Sequence, residues 1–281
     1  MRILFLGTPQ FAVPTLDAVA REHEIVLVVA QPDKPSGRGM QLHAPPVAMR
    51  ARELGLPLAQ PAKIRELQRV DADLGVVIAY GKILPASLLA MPKHGFINVH
   101  ASLLPKYRGA APIQRAIQNG ETTTGVTIMR VDEELDHGAM LDVATLDIDP
   151  DEHTPSLASR LSALGAETLL QSLANLREGT PQDHAQATYA PKIEKEEGLV
   201  NWNEPARVIY DKYRAFDPWP GIFTADGIKL FDLSVGGESG EPGDVLRIDD
   251  EVVFATGDGS LHVRTIQRPG KSRVPARYFK A

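Results

Sequence analysis

Short, nearly unbroken apolar runs alternate with helical patterns over the first 150 residues, and few architectures accept that alternation. Residues 3–6, 25–30, 74–79 and 96–99 lack the polar interleaving of a half-exposed sheet. Strands of this kind are covered on both faces. Between them, residues 11–22 and 45–54 carry helical spacing. Residues 111–119 have Pro112 near the start and Gly120 just past the end, which are helix boundary signals. The pattern predicts an α/β fold with a Rossmann-like, doubly wound parallel sheet.

A further helical pattern covers residues 154–176, and then the texture changes. Residues 177–203 are polar, and Lys192-Ile193-Glu194-Lys195-Glu196-Glu197 is a charge run of the sort found on solvated linkers. A helix is predicted from 204 to 216, stopping at Pro218. After it come short strands with Gly-rich turns at 221–224, 228–233, 244–248, 252–256 and 261–267. These predict a small β-barrel. The expected domains are a catalytic one at 1–185, a linker at 186–203 and the barrel at 204–281.

Composition narrows the chemistry. The 281 residues carry a net charge of −6 and no cysteine. That excludes disulfides, thiolate catalysis and the common structural zinc sites, and suits the cytoplasm. The first apolar run stops at Gly7, too soon for a signal peptide, and no run approaches the ~18 residues of a membrane span. The acidic balance disfavours nucleic acid unless the basic residues cluster. From His262 onward they do: Arg264, Arg268, Lys271, Arg273, Arg277 and Lys280 occur with no acidic residue between them.

Several motifs have ordinary explanations. Gly7-Thr8-Pro9 holds only one glycine of a dinucleotide fingerprint, so it reads as a turn presenting a helix N-terminus. Gly270-Lys271-Ser272 lacks the earlier glycine of a P-loop, and HExxH and GxSxG are absent. No metal site is expected.

Residues 96–136 carry the chemistry. Alternation puts Asn98 and His100 on one face of a strand. A second apolar segment, 126–131, leads into an acidic turn ending at Asp136. An amide donor, an imidazole and a carboxylate suit attack of a nucleophile on a carbonyl carbon. A strand-end His is by default structural. Asn98 on the same face and the Asp-x-Gly turn count against that default for His100.

Asn98, His100, Ser102-Leu103-Leu104-Pro105, Arg108-Gly109 and Asp136-His137-Gly138 together resemble the folate-dependent formyltransferases, and among these the methionyl-tRNA formyltransferases. The similarity runs from Met1 almost to the C-terminus. It implies a C-terminal barrel of OB type and transfer of formyl from 10-formyltetrahydrofolate to the α-amine of methionyl-initiator-tRNA by a monomer. Asn98 and His100 would hold the oxyanion, with Asp136 orienting His100 and assisting proton movement. The Ser102–Pro105 signature directly after His100 supports that role, whereas His137 sits in a turn where the family pattern varies and would be a bystander. The folate would contact Ser102, Leu103, Leu104 and Pro105, together with Tyr80, Gly81, Ile83, Leu84 and the 131–136 loop.

The loop from Gln31 to Met40 resembles the insertion that grips the acceptor stem. Lys34 and Arg38 would contact tRNA there, and Arg268, Lys271 and Arg273 would do so in the C-terminal domain. The loop departs from the family pattern in having Met40-Gln41-Leu42, and Ala48 stands where a basic residue is common. Glycinamide-ribonucleotide formyltransferase carries the same three polar groups on a shorter single domain. Sugar-nucleotide formyltransferases share the Pro218-Trp219-Pro220-Gly221 run but not the loop. A catalytically silent RNA-binding module is the alternative of another class.

Overall fold

A computed structural model describes residues 1–36 and 41–279. In chain order the elements are β1 (Arg2–Gly7), α1 (Val13–Glu22), β2 (Glu24–Val29), β3 (Lys34–Ser36), β4 (Gln41–His43), α2 (Pro46–Glu53), β5 (Leu58–Ala59), β6 (Leu74–Ile78) and β7 (Phe96–His100). Then follow α3 (Pro112–Gln118), β8 (Thr123–Val131), β9 (Met140–Asp147), α4 (Thr154–Ala174) and α5 (Ala206–Ala215). The chain ends with β10 (Ile222–Phe223), β11 (Lys229–Gly236), β12 (Val245–Ile248), β13 (Val252–Ala255), β14 (Ser260–Gln267) and β15 (Arg273–Pro275). Two compact units result. One holds Met1–Gly109, Thr123–Asp147 and Ala158–Tyr189; the other holds Ala110–Thr122, Ile148–Leu157 and the chain from Ala190 onward. No helix among the described residues is long and apolar enough to cross a membrane.

The first unit is built on a seven-stranded sheet in the order β9-β8-β7-β6-β1-β2-β5. The strands β5, β2, β1, β6 and β7 run parallel, as the apolar runs imply. β8 lies antiparallel to β7, and β9 antiparallel to β8. The β1 side chains alternate between two cores. Ile3 and Phe5 join Val19, Val28, Val76, Ile97 and Leu169, whereas Leu4 and Leu6 join Val29, Val77, Tyr80 and Phe96. Each such side chain withdrawn from water contributes about 1.5–3 kcal/mol. Gly75 pairs in register with Phe96, and a Cβ there would sit inside the Phe96 ring. The strand therefore needs glycine at that point.

The glycines and prolines of the Gln31–Met40 loop argue against regular structure. Lys34–Ser36 within it nevertheless form a short ladder with Gln41–His43, with Lys34 opposite His43, Pro35 opposite Leu42 and Ser36 opposite Gln41. An isolated two-strand ribbon leaves one side of each strand unpaired, so Pro35 is tolerated.

The second unit holds an antiparallel sheet in the order β10-β11-β14-β13-β12, with β15 also on β14. The edge strands β10 and β12 do not pair with each other among the described residues, so the expected barrel is an open sheet. The other side of β10 is taken instead by residues 199–200: Leu199 bridges Phe223, and the Val200 N–H donates to the Phe223 carbonyl at 2.9 Å. Helix α3 packs on α5 in this unit. Arg115 of α3 forms a bidentate pair with Glu197, at 2.5 and 3.0 Å. That hydrogen bond depresses the Glu197 pKa. Glu197 also accepts from the Glu194 backbone at 2.7 Å, so the 3₁₀ turn Lys195–Gly198, within the expected linker, is folded against α3.

An ionic cluster crosses the strands of the second sheet. His262 bonds Glu251 at 2.7 Å through Nδ1 and Glu238 at 2.9 Å through Nε2. Burial opposes the charged ring, but the two carboxylates outweigh it and raise the His262 pKa. Hydrogen bonds from Ser260 and His262 hold Glu238 down to about 2. The His262 contribution is fully present below its ordinary value of 6.5 and is lost as pH rises through the raised one. The Glu238 contribution is present above 4.5 and fades as pH falls towards about 2. The melting temperatures of wild type and His262→Gln should differ most below pH 6.5 and converge as pH rises past the raised value. A gap that stays constant from pH 5.5 to 9 would remove the charged ring from the account (the pH span is roughly the range over which His titrates).

Candidate active site

Phe96, Asn98 and His100 take one face of β7, while Ile97 and Val99 enter the core on the other. On the Asn98 side lies a cleft of about 280 Å³. Its floor is Val77, Asn98 and Met129, from β6, β7 and β8. One wall is the turn from Ala79 to Leu84, and the other is the loop from Val131 to Asp136. Three neighbouring strands thus supply the floor, and the loops after two of them supply the walls.

The first wall is shaped by backbone conformation. Ala79 and Gly81 both have positive φ, at 46° and 83°. The Tyr80 carbonyl between them accepts from the Thr8 hydroxyl at 3.0 Å and from the Gln31 amide at 3.2 Å. Gly7-Thr8-Pro9 thus serves as a brace for this turn. Tyr80 is buried, and burial pushes its phenol pKa up. Gly81, Lys82, Ile83 and Leu84 continue the wall, with Ile83 86% exposed at its mouth.

The second wall ends at Asp136, whose φ of 49° is rare for a residue with a side chain. Its Oδ2 accepts from the Gly109 N–H at 2.8 Å. Its Oδ1 lies 3.7 Å from His100 Nδ1, with both side chains largely buried. That gap must close by under ~1 Å for a direct hydrogen bond. His100 Nε2 is 2.9 Å from the Tyr107 carbonyl. A carbonyl can only accept, so Nε2 carries the hydrogen and Nδ1 is the ring atom that faces Asp136.

Two glycines of the sequence motifs are explained here. Gly109 holds φ at 117°, in the region that favours glycine, and a Cβ at Gly138 would overlap the Arg130 carbonyl oxygen. His137 stays out of the cleft. It bonds Asp132 at 2.7 Å and stacks on His184 with centroids 4.0 Å apart.

The structure therefore brings Asn98, Asp136, Tyr80, Gly81, Ile83 and Leu84 to one cleft, with His100 against Asp136. It does not bring Ser102, Leu103, Leu104 or Pro105 to that cleft. Ser102 is fully buried and donates to the Lys106 carbonyl at 2.7 Å. Thr127 bridges the Ser102 carbonyl and the Leu104 N–H. This segment shapes the turn that carries Tyr107. Val77, Lys82 and Met129 line the cleft without having been singled out individually, because nothing in their local pattern separates them from core or turn residues.

Among the cations, Arg38 lies outside the described residues, and Lys34 is exposed on β3. Arg268 and Lys271 are exposed, and the Arg273 guanidinium sits 3.7 Å from the Phe231 ring centroid. None of the three pairs with a carboxylate among the described residues. Their neighbours do find acids that are distant in sequence, Arg264 near Glu251 and Arg277 near Asp250.

A formyl transferase model matches residues 1–173, and a formyl transferase C-terminal domain model matches residues 192–281. The chain belongs to the formyl transferase family. The methionyl-tRNA formyltransferase of Geobacter metallireducens is 46% identical over 296 residues, covering 100% of this chain and 95% of that protein. That of Thermus thermophilus is 46% identical over 287 residues, covering 98% and 94%. WlaRD, a sugar 3N-formyl transferase solved with dTDP and 5-N-formyl-THF, superposes with a TM-score of 0.75 at 17% identity, covering 97% of this chain and 99% of that one. HypX from Aquifex aeolicus in complex with tetrahydrofolic acid gives 0.65 at 22% identity, covering 98% of this chain and 46% of that one. At such identities these two structures share the fold.

The close approach at Gly138 yields a test. Gly138→Ala should displace the Asp136 turn and destabilise the first unit by about 1–3 kcal/mol, as overpacking does. Denaturant unfolding measures it, and an unchanged midpoint would show that the turn is not held against Arg130.

Proposed function

We infer that this chain transfers a formyl group from 10-formyltetrahydrofolate to the α-amine of methionine esterified to initiator tRNA, in the cytoplasm. The observation that carries this reading is 46% identity to methionyl-tRNA formyltransferases along the whole chain. The site chemistry agrees with it. The amine nitrogen attacks the formyl carbon, a C–N bond forms, and the carbonyl oxygen gains negative charge. The Asn98 amide, on the cleft floor, donates to that oxygen. His100 acts through Nδ1, since Nε2 is committed to Tyr107. The Asp136 carboxylate steadies the ring when it is charged and helps remove the amine proton. The intermediate collapses as the bond from carbon to the folate nitrogen breaks and that nitrogen receives a proton.

The folate lies between the two walls. The Tyr80–Leu84 turn and the 131–136 loop flank its ring system, and Ile83 and Leu135 are both exposed on these walls. The 102–105 turn acts behind the site by holding Tyr107. The tRNA is met by Lys34 and Arg38 near the acceptor end and by Arg268, Lys271 and Arg273 on the C-terminal sheet.

The decisive assay offers formylated folate with either charged initiator tRNA or an amino-sugar nucleotide. Formylation of the tRNA alone is the expected result, and formylation of the sugar alone would overturn the reading. Within that assay, Asn98→Ala and Asp136→Asn should each lower turnover about a hundred- to a thousandfold with little change in tRNA affinity. Near-full turnover by either folded variant would contradict its assignment. Neutralising Arg268, Lys271 and Arg273 together should flatten the salt dependence of tRNA binding by up to about three units, because fewer counterions are released. Identical slopes for wild type and triple variant would place the RNA elsewhere.

A further inference from the structure

Residues 174–191 fall between the two family matches, and part of this stretch reads as a polar linker. Within the first unit, however, residues 182–188 touch both sides of the catalytic pair. Gln182 is 4% exposed and uses both ends of its amide. Its Oε1 accepts from Arg108 Nε at 3.1 Å and Nη2 at 2.6 Å. Its Nε2 donates to the carbonyl of Asp136 at 2.9 Å and to that of Gly138 at 2.8 Å. Arg108 is itself buried and donates a further bond to His184 Nδ1 at 2.8 Å.

Six residues on, Thr188 grips the other side. Its hydroxyl oxygen accepts from the Tyr107 N–H at 2.8 Å, and its carbonyl accepts from the Arg108 N–H at 2.8 Å. Its own N–H donates to the Pro105 carbonyl at 3.3 Å. Tyr107 sits at a φ of 60°, and its carbonyl fixes His100 Nε2.

We propose that residues 182–188 position the catalytic pair: Gln182 sets Asp136 through that residue's own carbonyl, and Thr188 sets His100 through Tyr107. The proposal rests on the formyl-transfer reading for its chemistry and on this geometry for its residues. Asp136 and Tyr107 both hold positive-φ conformations that the chain adopts reluctantly. Each is tied to this segment by hydrogen bonds reaching its backbone. The chemistry at the two grip points is specific. A glutamate at 182 keeps the acceptor for Arg108 but turns a second oxygen towards two carbonyl oxygens. A valine at 188 keeps the shape and removes the acceptor for Tyr107.

The test compares Gln182→Glu, Thr188→Val and Thr188→Ser with wild type. It measures kcat and the KM for each substrate, the melting temperature, and the ring-nitrogen NMR signals of 15N-labelled His100. Gln182→Glu and Thr188→Val should lose about tenfold or more in kcat while both KM values stay within about threefold, the signature of a displaced catalytic group. Thr188→Val should shift the His100 Nε2 signal, and Thr188→Ser should restore both kcat and the signal. Wild-type kcat in both variants with unmoved His100 signals would overturn the proposal. So would losses that disappear when rates are taken far below each melting temperature. If Gln182→Glu fails to fold, the Thr188 pair decides. If wild type itself transfers no formyl group to methionyl-tRNA, the reaction reading fails, and the His100 signals still decide the positioning.

Discussion

The site depends on one hydrogen bond, from the Gly109 N–H to the Asp136 carboxylate at 2.8 Å. It ties the turn after β7 to the loop after β8, a link that Gln182 reinforces by bonding both Arg108 and the Asp136 carbonyl. It fixes one carboxylate oxygen, so that the other faces His100. Asp136 adopts a left-handed conformation to reach it, at a cost of about 1–3 kcal/mol in backbone strain. Burial and the surrounding hydrogen bonds offset that cost. The strain is local to the group that the chemistry needs in place.

From that bond the division of labour follows. The parallel sheet, with apolar cores on both faces, is the rigid part. Asn98 stands on it directly. His100 ends the same strand, and its ring is turned by a backbone carbonyl, which leaves Nδ1 as the working nitrogen. The walls are loops whose shape is set by positive-φ residues and by bonds from Thr8, Gln31 and Gly109. The second unit contributes its own ionic cluster and three cations with no carboxylate partner among the described residues.

Much of this was legible in the sequence. The parallel strands announce themselves because both faces are buried and the runs are continuous. Asn98, His100 and Asp136 could be named because strand alternation and the Asp-x-Gly turn are local signals. Other features have no local signal. β9 is exposed on one face, so its apolar residues do not form a run. The β3–β4 ladder was hidden by its proline, and α3 packs on α5, which lies far along the chain. The Ser102–Pro105 motif was legible as a motif, but its job is to shape a turn by long-range bonds to Thr127. Gln182 and Thr188 were invisible for the same reason. Their partners lie over 40 residues away, at Asp136 and Tyr107, and only the folded chain brings them together.

The central claim is that the formyl carbon is attacked between Asn98 and the His100–Asp136 pair. The most direct measurement is a crystal structure of the chain with a stable formyl-folate bound. The account predicts the folate ring system between the Tyr80–Leu84 turn and the 131–136 loop, with the formyl oxygen about 3 Å from the Asn98 amide nitrogen. A formyl group bound out of reach of Asn98, with the cleft empty, would contradict it.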